Sequence, residues 1–297
     1  MFQRILVPLD GSKLAETALP VATAFAERCG AELVLFHVIE KGAAGSIHGE
    51  HHLQNADEAQ AYLNDLAVHF ATPEVTIENH VHTESISEVP NSIIQHALEF
   101  EIDLIVMCAH GSSGLRDRLI GSIAQQVIQR GTTPVLFFRP EMDFEQLRFP
   151  PQHILVPLDG EGLHEDALPA AKSVAEKCGA AIELVTVVPT PTTLRSDLAG
   201  PGMMMPITTS AMLDLAERGA AEYLLEIGRE ISEQKLRISG HVLRGDAAVE
   251  ILKVAEQADL IIMATHGRTN WDAFWQESVT PKVMGRTKIP VLLVREP

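Results

Sequence analysis

Basic residues are scarce in this chain: 23 lysines and arginines face 40 aspartates and glutamates, a formal charge of −17 over 297 residues. A surface of that sign repels phosphate backbones and anionic lipid headgroups, so neither nucleic acid nor membrane is an expected partner. Cysteine is rarer still. Cys29, Cys108 and Cys178 form an odd set without metal-type spacing, which reads as thiols in a reducing compartment, packed as small hydrophobes. Long hydrophobic runs are missing as well. The longest, such as Leu104 to Ala109, are strand-sized, and Met1 leads directly into a Pro and Asp turn rather than a signal-peptide core, so a cytoplasmic location is the expectation. Catalytic signatures are absent too: there is no G-x4-G-K-[S/T] loop, no Ser-Gly-Gly-x-Asp-Ser pyrophosphatase loop and no G-x-S-x-G elbow. No catalytic residue and no metal site is therefore assigned, and an efficient enzyme is not expected.

What is present is ordinary globular material, 46% hydrophobic and 21% charged, in a chain too long for one core. It is also written twice. Ile5 to Gly11 reads ILVPLDG, and so does Ile154 to Gly160. The same offset matches Ala18-Leu19-Pro20 with Ala167-Leu168-Pro169 and Cys29-Gly30-Ala31 with Cys178-Gly179-Ala180. A slightly larger offset matches Asp103-Leu104-Ile105-Val106-Met107 with Asp259-Leu260-Ile261-Ile262-Met263. Two copies of about 145 residues are each large enough to fold alone, which makes this a duplication and not a solenoid. The expected domains are residues 1–145 and 151–297, with the boundary inside the Pro- and charge-rich stretch Pro140 to Gln152.

Within each copy the hydrophobic period alternates. Ile5 to Leu9, Leu33 to Ile39, Leu104 to Cys108 and Val135 to Phe138 are apolar runs without polar alternation, as in strands buried on both faces. Val75 to Val81 adds a fifth, with a counterpart at Leu236 to Leu243. Between them Leu14, Ala18, Val21, Ala22 and Phe25 share a helical face, repeated by Leu163, Ala167, Ala170, Ala171 and Val174. Ala59, Tyr62, Leu63, Leu66 and Phe70 form a second stripe, matched by Ala220, Tyr223, Leu224, Ile227 and Ile231. Ala248, Ile251, Leu252 and Ala255 mark a further helix in the second copy. Alternating strands and helices predict an α/β fold: two doubly wound, five-stranded parallel sheets with right-handed crossovers. Ligands in such sheets lie beyond the strand ends where the strand order reverses, here beside the first and fourth strands, where Asp10 and the segment Cys108 to Gly111 fall.

After its fourth strand the first copy reads Cys108-Ala109-His110-Gly111, nine residues, then Gly121-Ser122-Ile123-Ala124 opening a helix. Glycines let backbone approach an anion, and the free amides of a helix N-terminus favour phosphate; close helix packing at Gly121 is the alternative. Together the first-strand VPLDGS, the DLIVM strand, the following HG, the spacer, GSIA and the closing TPVLFF resemble the universal stress protein domain over the whole of each copy. That resemblance implies a Rossmann-like fold of the adenine nucleotide alpha hydrolase type and an adenine nucleotide ligand, ATP or AMP, with magnesium as an optional companion. The family's motif G-x2-G-x9-G-[S/T] is matched at Gly111, Gly121 and Ser122 and broken at Cys108, whose side chain stands where the first glycine would. By the same resemblance Asp10 holds the adenosine end, Val38 offers backbone contacts to adenine, Gly111, Gly121, Ser122 and Ile123 surround ribose and phosphates, and Pro8 and Met107 line the pocket. Asp10 also reads as a helix N-cap in Asp10-Gly11-Ser12.

The second copy departs further, with Glu277 at the position of Gly121 and Trp271 and Trp275 in the spacer. A carboxylate there opposes phosphate, so this copy is expected to serve as structure or to take another ligand, although Asp159 matches Asp10. His48, His51 and His52 are close enough to bind zinc or nickel but lack a completing cysteine, so a solvated loop is the expectation. The second copy has instead a connector, Pro189 to Thr209, with Met203-Met204-Met205 read as an insertion packing on its own domain. His110 and His266 suit turn hydrogen bonding. The leading function is a stress-response regulator whose bound nucleotide alters contacts with an unidentified partner protein. A slow ATP hydrolase using Arg116, Asp117 or Arg118, and a nucleotide-free interaction scaffold, are the alternatives. Apolar edge segments Pro134 to Phe138 and Pro290 to Val294 need covering; the resemblance implies that they pair the copies as a pseudo-dimer, with homodimerisation of whole chains beyond it.

Overall fold

The computed structural model describes residues 1–42, 45–47, 49–108, 121–139, 149–160, 166–194, 205–232, 236–265 and 279–295. Two compact units result, Met1–Pro150 together with Pro290–Pro297, and Pro151–Ile289. In the first, the chain runs β1 (Arg4–Pro8), α1 (Lys13–Glu16), α2 (Ala18–Cys29), β2 (Glu32–Glu40), β3 (Ser46–Ile47), β4 (Glu50–His51), α3 (Ala56–Phe70), β5 (Ile77–Ile86), α4 (Val89–Glu99), β6 (Leu104–Cys108), α5 (Ser122–Arg130) and β7 (Val135–Phe138). Its parallel sheet has the order β7-β6-β1-β2-β5. The chain steps outward from β1 through β2 to β5, then returns to β6 on the other side of β1, so the strand order reverses between β1 and β6.

The second unit contains β8 (His153–Pro157), α6 (Ala167–Cys178), β9 (Ala181–Val188), α7 (Pro206–Ser232), β10 (Arg237–Arg244), α8 (Ala247–Ala255), β11 (Leu260–Thr265) and α9 (Val279–Met284). Its strands, ordered β10-β9-β8-β11, are parallel. The last strand, β12 (Val291–Arg295), groups with the first unit and pairs antiparallel with β7, Val291 facing Phe137 and Leu293 facing Val135. The two apolar edge segments named from sequence thus satisfy each other's backbone groups. Arg295 continues the contact: its Nη1 donates to the carbonyls of Gln129 and Gly131, each at 2.7 Å, at the C-terminal end of α5, where a cation complements the exposed carbonyls and the helix dipole.

The duplication is visible in hydrogen bonds as well as in letters. Asp103 accepts the amides of Gln3 (2.7 Å) and Arg4 (3.2 Å), and Asp259 those of Gln152 and His153 (both 2.9 Å). Each aspartate opens a central strand and clamps the start of the neighbouring one. α2 and α6 stop alike, at Gly30 (φ 67°) and Gly179 (φ 69°), left-handed positions that glycine occupies without strain. The helical stripes meet the sheet: Ala18, Val21, Ala22 and Phe25 are buried, as are Ala167, Ala170, Ala171 and Val174. Burying each large side chain contributes about 1.5–3 kcal/mol.

Several details differ from the sequence reading, among them the fifth strand of the first copy, which runs Ile77–Ile86 rather than Val75 to Val81, Val75 making only an isolated bridge with Thr72. α7 starts at Pro206, inside the expected connector, because proline is tolerated at a first helical position and the Met205 carbonyl accepts the Thr209 amide at 3.0 Å; Met203 and Met204 lie outside the described residues, and Met205 is exposed. Asp10 is not the N-cap of α1. Ser12 is: its Oγ accepts the Ala15 amide at 3.1 Å, while Asp10 accepts both the Ser12 amide (2.9 Å) and the Ser12 hydroxyl (2.6 Å). Cys29 and Cys108 are buried, as small hydrophobes are, but Cys178 is only half-buried. Among the described residues no helix is long and apolar enough to cross a membrane.

Candidate functional site

A cavity of about 270 Å³ opens beyond the carboxyl ends of β1, β2 and β6 in the first unit. Pro8 and Asp10 reach it from the end of β1, Val38 from β2 and Met107 from β6. Gly121, Ser122 and Ile123 reach it from the start of α5. Gly111 and His110 lie outside the described residues, as do Arg116, Asp117 and Arg118, which the hydrolase alternative would need. Cys108 stands in the cavity wall, buried, and the space persists beside it.

Gly121 is the N-cap of α5, and among the described residues no side chain caps the helix there. The first turn of α5 lines the cavity, and a helix N-terminus is a place where backbone amides favour an anion. The opposite end carries negative charge, from Asp10 and from Glu40 at the end of β2. Beside it Tyr62 is half-buried with its hydroxyl shielded from solvent, and burial followed by the nearby carboxylates of Glu16 and Asp10 pushes its phenol upward. The carboxylates of Asp10 and Glu40 would oppose an anionic group at the β2 end.

Sequence reasoning missed several wall residues. His37 lies within the apolar run of β2, and a polar residue inside such a run was the available signal. It is 1% exposed; its Nδ1 donates to the Leu9 carbonyl at 2.7 Å, and its buried Nε2 makes no hydrogen bond. Burial pushes this imidazole below its ordinary pKa, against the raising pull of the Leu9 carbonyl. Val89 and Ile93 of α4 and Phe36 of β2 complete the apolar side. Behind Phe36 lie three further imidazoles: His96 is 4.7 Å from Phe36 between ring centroids, 5.1 Å from His80 and 5.0 Å from His82. Among the described residues no group of three His, Cys, Asp or Glu side chains is arranged to hold a metal ion.

Of the histidines expected in a solvated loop, His51 is exposed and His52 is buried. His51 Nε2 lies 2.8 Å from Glu58 Oε1, and His52, 5% exposed, lines the cavity. His48 lies outside the described residues, as do Glu277, Trp271, Trp275, His266 and Gly267 of the second copy. Asp159 is described and exposed, beyond the end of β8.

Strand order and crossover helices define a doubly wound α/β module with a cavity at the point of reversal. The chain belongs to the universal stress protein family, whose pattern matches residues 1–139 and again residues 151–295. Universal stress protein YxiE of Bacillus subtilis is 30% identical over 148 residues, 47% of this chain and 100% of its own length. Universal stress protein G of Salmonella typhimurium is 30% identical over 149 residues, again 47% of this chain and all of its own. Each of these relatives is the length of one copy. The crystal structure of a universal stress protein from Archaeoglobus fulgidus superposes with a TM-score of 0.70 at 19% identity, covering 99% of this chain and 96% of that one, a likeness of fold.

Proposed function

We propose that the first unit binds an adenine nucleotide, ATP or AMP, in the cavity at the β1/β6 reversal, and that the protein acts as a nucleotide-responsive regulator rather than a catalyst. The observation that carries this reading is the start of α5 in the cavity wall: Gly121 brings backbone to it, no side chain among the described residues caps the helix, and Ser122 adds a hydroxyl. The volume falls just below the usual range of small-molecule sites, about 300 Å³ and upward, and its lining is largely apolar with a few polar groups, as a heterocyclic base requires. A magnesium ion would have to come with the phosphates.

The second copy serves as support. Its final strand covers the β7 edge, and its Arg295 holds the C-terminal carbonyls of the helix whose other end faces the ligand. Two measurements test the reading. Mass spectrometry of small molecules released from gently purified protein should show adenine nucleotide, and calorimetric titration should give saturable binding of ATP or AMP at one site per chain. No co-purifying nucleotide, together with a flat titration, would leave a nucleotide-free scaffold as the better account. Steady multiple-turnover release of phosphate would instead favour the hydrolase.

A further inference from the structure

Between β2 and α3 the chain forms a short antiparallel hairpin, Ser46 opposite His51 and Ile47 opposite Glu50, and then descends over Gly11. Successive side chains of this strap have different anchors. Glu50 Oε2 accepts the Lys13 amide at 2.6 Å in the first turn of α1. His51 pairs with Glu58. Leu53 packs with Ile39 and Ala59, and lies so close to Gly11 that a Cβ there would be 2.9 Å from Leu53 Cγ. His52, held between these anchors, is the strap's contribution to the cavity wall.

Its place along the cavity follows from strand order. α5 follows β6, Asp10 lies beyond β1, and Glu40 closes β2. His52 belongs to the β2 end because the next residue, Leu53, packs on Ile39 of that strand, and the β2 end is about 10 Å, two interstrand steps, from the β6 end. That is the length of a nucleoside, and the carboxylates of Asp10 and Glu40 keep phosphate away from this end while accepting bonds from hydroxyl and amino groups. An imidazole in that wall presents a flat face. The second copy, with its connector in place of the strap, has no sequence counterpart to His52.

We propose that His52 is a specificity-determining residue that contacts the nucleoside end of the ligand, with the strap closing over sugar and base rather than over phosphate. This rests on the nucleotide reading of the cavity. The test is calorimetric titration of the full chain and of its His52→Ala and His52→Asn variants with ATP, AMP and adenosine, with thermal melts of each protein. Both variants are expected to melt near wild type, and His52→Ala to weaken all three ligands by the same factor, about tenfold. If His52→Ala does not fold, His52→Asn carries the comparison. Wild-type affinities in the variants would overturn the role of His52 while leaving nucleotide binding intact. A loss confined to ATP and AMP, with adenosine unaffected, would move His52 to the phosphates and overturn it too. A wild-type protein that binds none of the three would remove the nucleotide reading and this inference with it.

Discussion

The two copies share a scaffold and differ in their connectors. β1 and β8 carry the same ILVP, α2 and α6 end at equivalent glycines, and Asp103 and Asp259 make equivalent clamps. Between the second strand and the strand that pairs with it, however, the first copy has a strap and a 15-residue helix, whereas the second has a 27-residue helix. Duplication kept what buries the sheets and varied what surrounds the strand ends, because packing constrains the former and only ligand or partner constrains the latter.

The largest expected effect comes from giving the first copy the second's own residue. Gly121→Glu should reduce ATP affinity at least about 100-fold, since a carboxylate at a helix N-terminus opposes phosphate directly, while the melting temperature changes little. Binding that survives this change would break the asymmetry drawn between the copies. Next in size are matched core truncations. Leu63→Ala and Leu224→Ala occupy equivalent places in the two helical stripes, and both side chains are buried. Each should cost about 3 kcal/mol in chemical denaturation, and a much smaller cost for one would show that its copy is less tightly packed. Arg295→Met removes two charge-assisted bonds to the end of α5 and should lower stability by about 1–2 kcal/mol, with ligand affinity falling alongside if that helix must be held to bind.

Acid should separate the copies further. Burial lowers the pKa of both His37 and His80, the latter helped by His96 and His82 and opposed by Glu99. The unfolded chain therefore binds more protons below the ordinary histidine pKa of about 6.5. The stability these neutral histidines contribute is complete above that value and is lost as pH falls through their lowered folded-state values. Both belong to the first unit, so melts between about pH 7 and pH 5 should show that unit weakening, and His37→Phe and His80→Phe should flatten the trend. The smallest effect is expected at Ile207 of α7, 86% exposed. Ile207→Ser should change stability by no more than about 0.5 kcal/mol, and a larger loss would mean that this face is covered in solution.

How much of this was legible beforehand follows from the range of the interactions involved. The strands Leu104 to Cys108 and Val135 to Phe138 read correctly because burial on both faces leaves an uninterrupted apolar run. The cavity wall from Pro8 to Ile123 could be listed because its residues sit at strand ends and a helix start, positions that local pattern marks. The strap could not be read. Glu50, His51 and His52 lie in a polar stretch, and nothing local announces that the Lys13 amide will meet Glu50, that Glu58 will meet His51, or that Gly11 will lie under the following Leu53. His37 was hidden for the opposite reason, as one imidazole inside a run otherwise typical of a buried strand.

By itself the sequence determined two α/β copies, the periods of their strands and helices, and the small uncharged residues at the start of α5, because these depend on neighbours a few positions apart. Only the tertiary structure decided that Arg295 caps α5, that β12 meets β7 antiparallel with Val291 opposite Phe137, and that His52 lines the cavity. Each joins residues far apart in the chain or turns a polar segment inward, and such contacts exist only once folding has brought the surfaces together.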